Sequence, residues 1–557
     1  MLRISSQYDP ALVSILKRAG CGWNKASRVW QKPLATAGRV IDQLRELNGD
    51  DRYVVSGIDD IAAAYHALKN NVISSSSAVD IDDQSLLEKM PAHLFAYQKA
   101  GVAFVIKKNG RALIADEQGL GKTAQALVSV KLLNDKRVVV VAPASVLENW
   151  RREAKRWIDV DAYIPKKTTE DVTDRDFIII SYDAAKKLKI GQRDCLIIDE
   201  AHYIKNTKSQ RHKKIIEIAD GCKHVITLTG TPLISRPVEL WGVMRAVHGK
   251  NCMPFFNYAK RFCDAHQTDF GWDFSGSSNL EELNILFRSF AARRVKSQVL
   301  SDLPEKINET VYFRDSYKKS DIEKTIEKLL KQYGHDVAAV MKALGEEGIK
   351  RLWQDVLVEF HRNADFKAID DDLIQYVIDS ATVKTLVFAK HRNILDSLAD
   401  ALRSENIKFI RIDGNVDVEA RQKRVDLFNN NDEIKVALLT FGAAREGLNM
   451  QSASQVIFTE LDWTPGAMSQ AEARAHRIGQ KSSVLVKTLI TSSFDSMMQD
   501  ALLSKIAVVS NAVDRIDSGA GSTDLGIMQA IIEAVAKRMT ENVDSNINYG
   551  AEQNALV

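Results

Sequence analysis

No apolar run in this chain of 557 residues is long enough to cross a bilayer: the longest, VVVVAPASVL from Val138, falls well short of the ~20 residues a spanning helix needs. The first twenty residues lack the apolar core of a secretory signal, so an intracellular location, cytoplasmic or nucleoid-associated, is expected. Cysteine is scarce. Cys21, Cys195, Cys222, Cys252 and Cys263 form no C-x-x-C pair, and no histidine stands near them at zinc-finger spacing. That excludes a disulfide framework and a structural zinc, and the five read as reduced core residues. An excess of one charge is missing too: 76 Lys and Arg against 73 Asp and Glu leave a formal +3. Such a chain does not coat nucleic acid wholesale, and any polyanion site must be a local basic patch.

What is present is length and rhythm. The chain far exceeds the ~300 residues at which one hydrophobic core stops growing, so several domains are expected. Residues 1–70 read as a small α+β module: Asp9 is a natural N-cap, Pro10 suits a first turn, Gly20 suits a stop, and RVWQKPL reads as a strand. The Ser- and Asp-rich stretch 71–90 reads as a linker. Five apolar strand-like runs follow at 111–116, 137–143, 176–181, 195–200 and 224–230, separated by helix-length stretches. Five more stand at 384–390, 408–414, 435–441, 455–460 and 484–490. This is the βαβ rhythm of a parallel sheet buried on both faces, so the expected fold class is α/β with two parallel-sheet lobes, at 91–300 and 381–505. Residues 233–300 read as a helical insertion, 301–380 as a helical brace, and 506–557 as a helical, partly disordered tail with an amphipathic helix over 526–539.

Polar chemistry gathers at the C-terminal ends of these runs, where open α/β sheets bind ligands. In ADEQGLGKT, Gly119 and Gly121 let backbone N–H groups approach phosphate. Lys122 can reach the β/γ-phosphates and Thr123 can hold Mg²⁺. The strict G-x-x-x-x-G-K-[ST] pattern is not met, because Asp116 occupies the first glycine position. DEAH at 199–202 supplies Asp199 as a second Mg²⁺ contact and Glu200 to orient or deprotonate the attacking water. In QAEARAHRIGQ, Arg474 and Arg477 stand at i and i+3, on one face of a helix, where both could reach a γ-phosphate.

These motifs, in this order, resemble the superfamily two Swi/Snf-type DNA-dependent ATPases, over about residues 90 to 505, which implies that the two α/β lobes are RecA-like. FAYQ resembles an adenine-recognising segment, DEQGLGKT the family's DEMGLGKT, and RRVKSQVLSDLPEK a brace between lobes. HRIGQ is the discriminating string. GAAREGLNM and the opening YDPALVSILKRAGCGWNKASRVWQKPL are closer to the annealing-helicase branch with its HepA-related module. The resemblance implies a nucleotide site of Gln98, Asp116, Gly119, Leu120, Gly121, Lys122, Thr123 and Gly447. It implies DNA contacts at Pro143, Ser145, Asn149, Trp150, Lys390, Arg411 and Arg445, with ATP and Mg²⁺ as cofactors and duplex, forked or junction DNA as partner. Trp23 and Trp30 could stack on bases or simply fill a small core. KNTKSQRHKK at 205–214 could face DNA backbone or be a solvated helix face. The expected activity is ATP-dependent translocation on double-stranded DNA that remodels or anneals forks; a strand-separating helicase, an inactive DNA-binding scaffold and a nucleosome remodeller stay open as alternatives.

Overall fold

A computed structural model describes residues 2–5, 9–18, 21–24, 27–32, 38–47, 57–233, 236–268, 271–274, 276–300, 302–313, 320–444, 448–513, 531–536 and 539. All ten expected strands are present, in two six-stranded sheets. The first runs in the order Ala291–Ala292, Arg111–Ile114, His224–Leu228, Cys195–Ile198, Val138–Ala142, Phe177–Ser181, and every neighbouring pair is parallel. The second runs Lys306–Tyr312, Val484–Ile490, Gln455–Phe458, Thr385–Ala389, Val436–Thr440, Phe409–Ile412, again all parallel. Alternate residues of each strand enter separate cores on the two faces: Val139 and Val141 join one cluster, Val138 and Val140 the other. Both faces are therefore closed to water, and the ligand-accessible rim is the row of loops at the strand ends.

The sixth strand of each sheet departs from the sequence reading. Lys306–Tyr312 lies where a helical brace was expected, yet it pairs with Val484–Ile490 along its whole length. The rest of 301–380 is helical, over Asp321–Gln332, Val337–Ala368 and Asp371–Asp379. Within 233–300 three helices of eight or more residues accompany an unexpected hairpin, His266–Thr268 with Gly271–Asp273.

The expected linker at 71–90 is corrected as well. Helix Ile58–Ser77 runs through NVISSSS, and Gln84–Leu87 forms a further turn. Its serines are satisfied inside the helix: Ser74 and Ser77 hydroxyls donate to the carbonyls of Asn71 and Ile73. Ser76 donates to the Ala291 carbonyl at 2.6 Å, and Lys69 pairs with Glu281, so this helix is bound to the first lobe. The opening module is a three-stranded antiparallel sheet, Leu2–Ile4, Val29–Lys32, Gly22–Asn24, with helix Pro10–Arg18 capped by the Asp9 carboxylate. Gly20 lies outside the described residues. In the tail, helix Ser493–Val513 begins in the second lobe's core and ends with Val513 in the first lobe's. The helix expected over 526–539 is described at 531–536 and 539, where Ile531, Ile532 and Val535 pack on the second lobe. Among the described residues no helix is long and apolar enough to cross a membrane. The five cysteines are free, four buried and Cys252 half-buried.

Candidate active site between the lobes

The strand Arg111–Ile114 ends in the loop 115–121, and Lys122 is the first residue of helix Lys122–Leu133. Gly119 (φ 89°) and Gly121 (φ 73°) take left-handed conformations that favour glycine, and Gly121 is the N-cap of the helix. Lys122 Nζ donates to the carbonyls of Asp116 (2.9 Å) and Glu117 (3.3 Å). Burial pulls its pKa down, against the pull of Glu200, Asp116 and Asp199.

Asp199 and Glu200 follow the strand Cys195–Ile198. Glu200 is held at φ 48°, a left-handed conformation rare for a side chain with a Cβ. The Tyr182 hydroxyl anchors this turn by donating to the Asp199 carbonyl at 2.5 Å. Burial first, and the adjoining Glu200 carboxylate second, push Asp199 up to about 6. Burial acts the same way on Glu200, but the His202 ring, Lys122 and Arg474 outweigh it and bring its pKa below the usual carboxylate value. His202 Nδ1 lies 3.2 Å from Glu200 Oε2 without hydrogen-bond alignment, so that oxygen keeps an unmet lone pair.

From the second lobe come Arg474 and Arg477. They do not share a helical face: helix Pro465–Glu472 ends before them, and both sit in the turn that follows. The turn nevertheless brings both into one cleft of about 170 Å³ with Gln118, Lys122, Asp199 and Glu200. The segment 293–306 fastens the lobes beside it. Lys296 Nζ donates to the His476 carbonyl of the second lobe (2.6 Å), while Lys306, already a strand residue of the second sheet, pairs with Glu472 within that lobe (2.6 Å).

The cleft fits a polyphosphate with a cation. Two buried polar groups that line it lack partners, the Gln118 amide and Glu200 Oε2. Lys122, Arg474 and Arg477 line the same cleft, with the N-terminus of helix Lys122–Leu133, a donor set suited to phosphate oxygens. Residues 97–356 match the SNF2-related domain and residues 369–479 the helicase conserved C-terminal domain. The chain belongs to the SNF2-related family. The SWI/SNF-related matrix-associated actin-dependent regulator of chromatin subfamily A-like protein 1 of Xenopus laevis is 35% identical over 80% of this chain and 46% of its own length. The DNA annealing helicase and endonuclease ZRANB3 of Homo sapiens is 31% identical over 81% of this chain and 43% of its own length. The chain thus spans about half the length of these relatives. Among solved structures, the Sulfolobus solfataricus SWI2/SNF2 ATPase core in complex with dsDNA aligns with 76% of this chain and 94% of that chain, at 23% identity and a TM-score of 0.37.

Several residues that the family resemblance implied for nucleotide or DNA serve other ends. Asp116 is fully buried, and its carboxylate is taken up by Arg294, by Nε at 2.8 Å and by a terminal nitrogen at 2.6 Å, with Gln125 Nε2 at 2.8 Å. It braces the loop from behind and does not line the cleft. Gln98 spends its amide on the Leu120 carbonyl (3.2 Å) and the Phe95 N–H (3.1 Å), so it too holds the loop. Leu120 is a buried apolar support. Trp150 cannot meet DNA: it is 1% exposed, and its indole N–H donates to Asp199 Oδ2 at 2.7 Å. Pro143 and Asn149 line the phosphate cleft, and Ser145 sits half-buried in the turn Ala144–Val146. Lys390 is paired with Asp462 (2.6 Å), and Arg411 with Asp396 (2.5 Å) and Asp413 (2.9 Å). Arg445 and Gly447 lie outside the described residues.

Sequence reasoning missed Trp150 as a support for Asp199 and Arg294 as the partner of Asp116. The brace between lobes that RRVKSQVLSDLPEK led one to expect is carried at Lys296. For Trp150 the consequence is testable. The indole hydrogen bond holds the Asp199 pKa down, so Trp150→Phe raises it. If Asp199 holds a cation for ATP hydrolysis it must be ionised, so the acid limb of that profile, expected near pH 6 in the native protein, moves to higher pH in the variant. An unmoved limb contradicts this role.

Proposed function

We propose that this SNF2-related chain is a DNA-dependent ATPase that translocates on duplex DNA and remodels or anneals it at forks and single/double-strand junctions. The observation that carries the reading is the single cleft where Lys122, Asp199 and Glu200 of one lobe meet Arg474 and Arg477 of the other. Bound ATP with Mg²⁺ would supply the scissile phosphoanhydride bond and the charge neutralisation that goes with it. Thr123 and Asp199 hold the cation, and the N–H groups of Gly119 to Thr123 cradle the phosphates. Glu200, ionised at neutral pH, accepts the proton of the attacking water through its unmet oxygen. Arg474 and Arg477 stabilise charge on the phosphoryl group as it transfers. The arginines belong to the second lobe, so completing the site draws the lobes together and losing the γ-phosphate releases them.

A second space between the lobes, of about 530 Å³, supports the DNA part of the reading. Lys186, Lys205 and Arg211 line it from one side, Thr464 and Gln470 from the other. The Arg211 guanidinium lies over the rings of Tyr182 and Tyr203, and Tyr182 is the residue that anchors Asp199. A strand backbone gripped here therefore touches the same scaffold as the catalytic carboxylates. Contacts of this kind give salt-sensitive binding with little base preference.

The junction preference is assigned to residues 1–70, with the motor in 91–300 and 381–505. Trp23 is 47% exposed beside the buried Trp30, at a ring separation of 5.3 Å, and the neighbouring Arg28 is exposed. An exposed indole next to a cation suits base stacking. The test uses ATP hydrolysis with duplex and forked DNA, beside strand-annealing and strand-displacement assays. Native protein should anneal more efficiently than it unwinds a flayed duplex. Trp23→Ala should lose the extra stimulation by forks while keeping the duplex-stimulated rate. Efficient unwinding, or unchanged fork stimulation, contradicts the junction assignment.

A further inference from the structure

Gln118 is the polar residue of the phosphate loop that the site as described leaves unused. It is 6% exposed, and both atoms of its amide lack a partner within the protein. Burying an amide this way is unfavourable unless a ligand completes it, and here the side chain lines the nucleotide cleft itself. Its position in that cleft is specific. Gly230, at the end of the neighbouring strand, leaves just enough room: an added Cβ would come within 2.3 Å of Gln118 Cγ and 3.2 Å of Lys122 Nζ. The Gln118 and Lys122 side chains therefore both pass close to Gly230, whose chain neighbour Thr231 has an unpartnered hydroxyl.

We infer that Gln118 reads the terminal phosphate, Nε2 donating a hydrogen bond to a γ-phosphate oxygen, so that the cleft distinguishes a nucleoside triphosphate from a diphosphate. The inference rests on the ATPase reading above. A neutral amide suits this task because it binds the third phosphate without retaining it as strongly as another cation would once the bond is cleaved. The cost of leaving the amide unpartnered is borne by the nucleotide-free protein, so the triphosphate form gains what the diphosphate form does not.

The test is equilibrium binding of ADP and of a non-hydrolysable β,γ-imido ATP analogue, with Mg²⁺, to the full-length native protein, Gln118→Met and Gln118→Glu. A hydrogen bond to a charged group sets the scale, so Gln118→Met should bind the analogue about tenfold more weakly, and ADP within about twofold of native. Gln118→Glu, which places a carboxylate against the phosphate, should lose more of the analogue affinity than Gln118→Met and again spare ADP. Without nucleotide, Gln118→Met should melt no lower than native, because it removes an unpartnered amide and keeps an unbranched chain of similar length. Native protein that binds neither nucleotide overturns the ATPase reading and this assignment with it. Native binding together with an unchanged analogue-to-ADP ratio in Gln118→Met overturns this assignment alone.

Discussion

Arg474→Ala should slow ATP hydrolysis by about 10³- to 10⁵-fold, the range for removing an arginine that stabilises a transferring phosphoryl group. Arg474 is 8% exposed, and its hydrogen bonds go to main-chain carbonyls, those of Gln470 (3.2 Å) and Leu448 (3.3 Å). Burial, and then the charge of Arg477, bring its pKa down to about 10, with Glu200 across the cleft pulling the other way. It still carries its charge at neutral pH. A buried guanidinium beside a second, half-buried one is unfavourable until an anion arrives, and the cleft that both line has room for one. Arg474→Lys should recover little, because an ammonium cannot reproduce the planar fork that meets two phosphate oxygens at once. ADP binding should change far less than the rate. A rate within tenfold of native in Arg474→Ala contradicts a site shared between lobes.

Arg294→Met should destabilise the first lobe by about 3–5 kcal/mol, the usual cost of leaving one member of a buried ion pair without its partner. The Arg294 and Asp116 side chains are 1% and 0% exposed, and Gln125 and the Ala78 carbonyl complete their hydrogen bonding. Removing both charges is a different matter. Arg294→Met combined with Asp116→Leu should recover most of the loss, because neither charge is then stranded. The readout is the first transition in urea, compared across the two single variants and the double. A loss under about 1 kcal/mol in Arg294→Met contradicts the pairing as a structural anchor.

The ten long strands were legible because a parallel strand covered on both faces is an unbroken apolar run, as in VVVVA or CLII. Ala291–Ala292 is two residues long and carries no pattern. KINETVY has no apolar run because it is an edge strand: three polar residues separate Ile307 from Val311, and Ile307 and Tyr312 are exposed. Helix Ile58–Ser77 was hidden by serine, which disfavours helices until its hydroxyl finds a carbonyl, and the carbonyl that takes Ser76 lies 215 residues away in the chain. Distance along the chain explains the site as well. Lys122, Asp199, Glu200, Arg474 and Arg477 each sit in a recognisable string, whereas Asp116 is matched by Arg294, 178 residues later. Trp150 sits in a string that resembles a DNA-contacting motif, but only the course of helix Leu147–Ile158 turns its indole inward toward Asp199. Motifs pointed to the groups that line the cleft; the groups that hold them emerged from packing.

The most direct measurement of the account is the steady-state ATP hydrolysis rate of the native protein, alone and with saturating duplex DNA, beside Lys122→Ala. The account predicts a low basal rate, strong stimulation by duplex that weakens as salt rises, and no hydrolysis in Lys122→Ala with or without DNA. Native protein that hydrolyses no ATP with any DNA, or a Lys122→Ala variant that hydrolyses it as the native protein does, would contradict it.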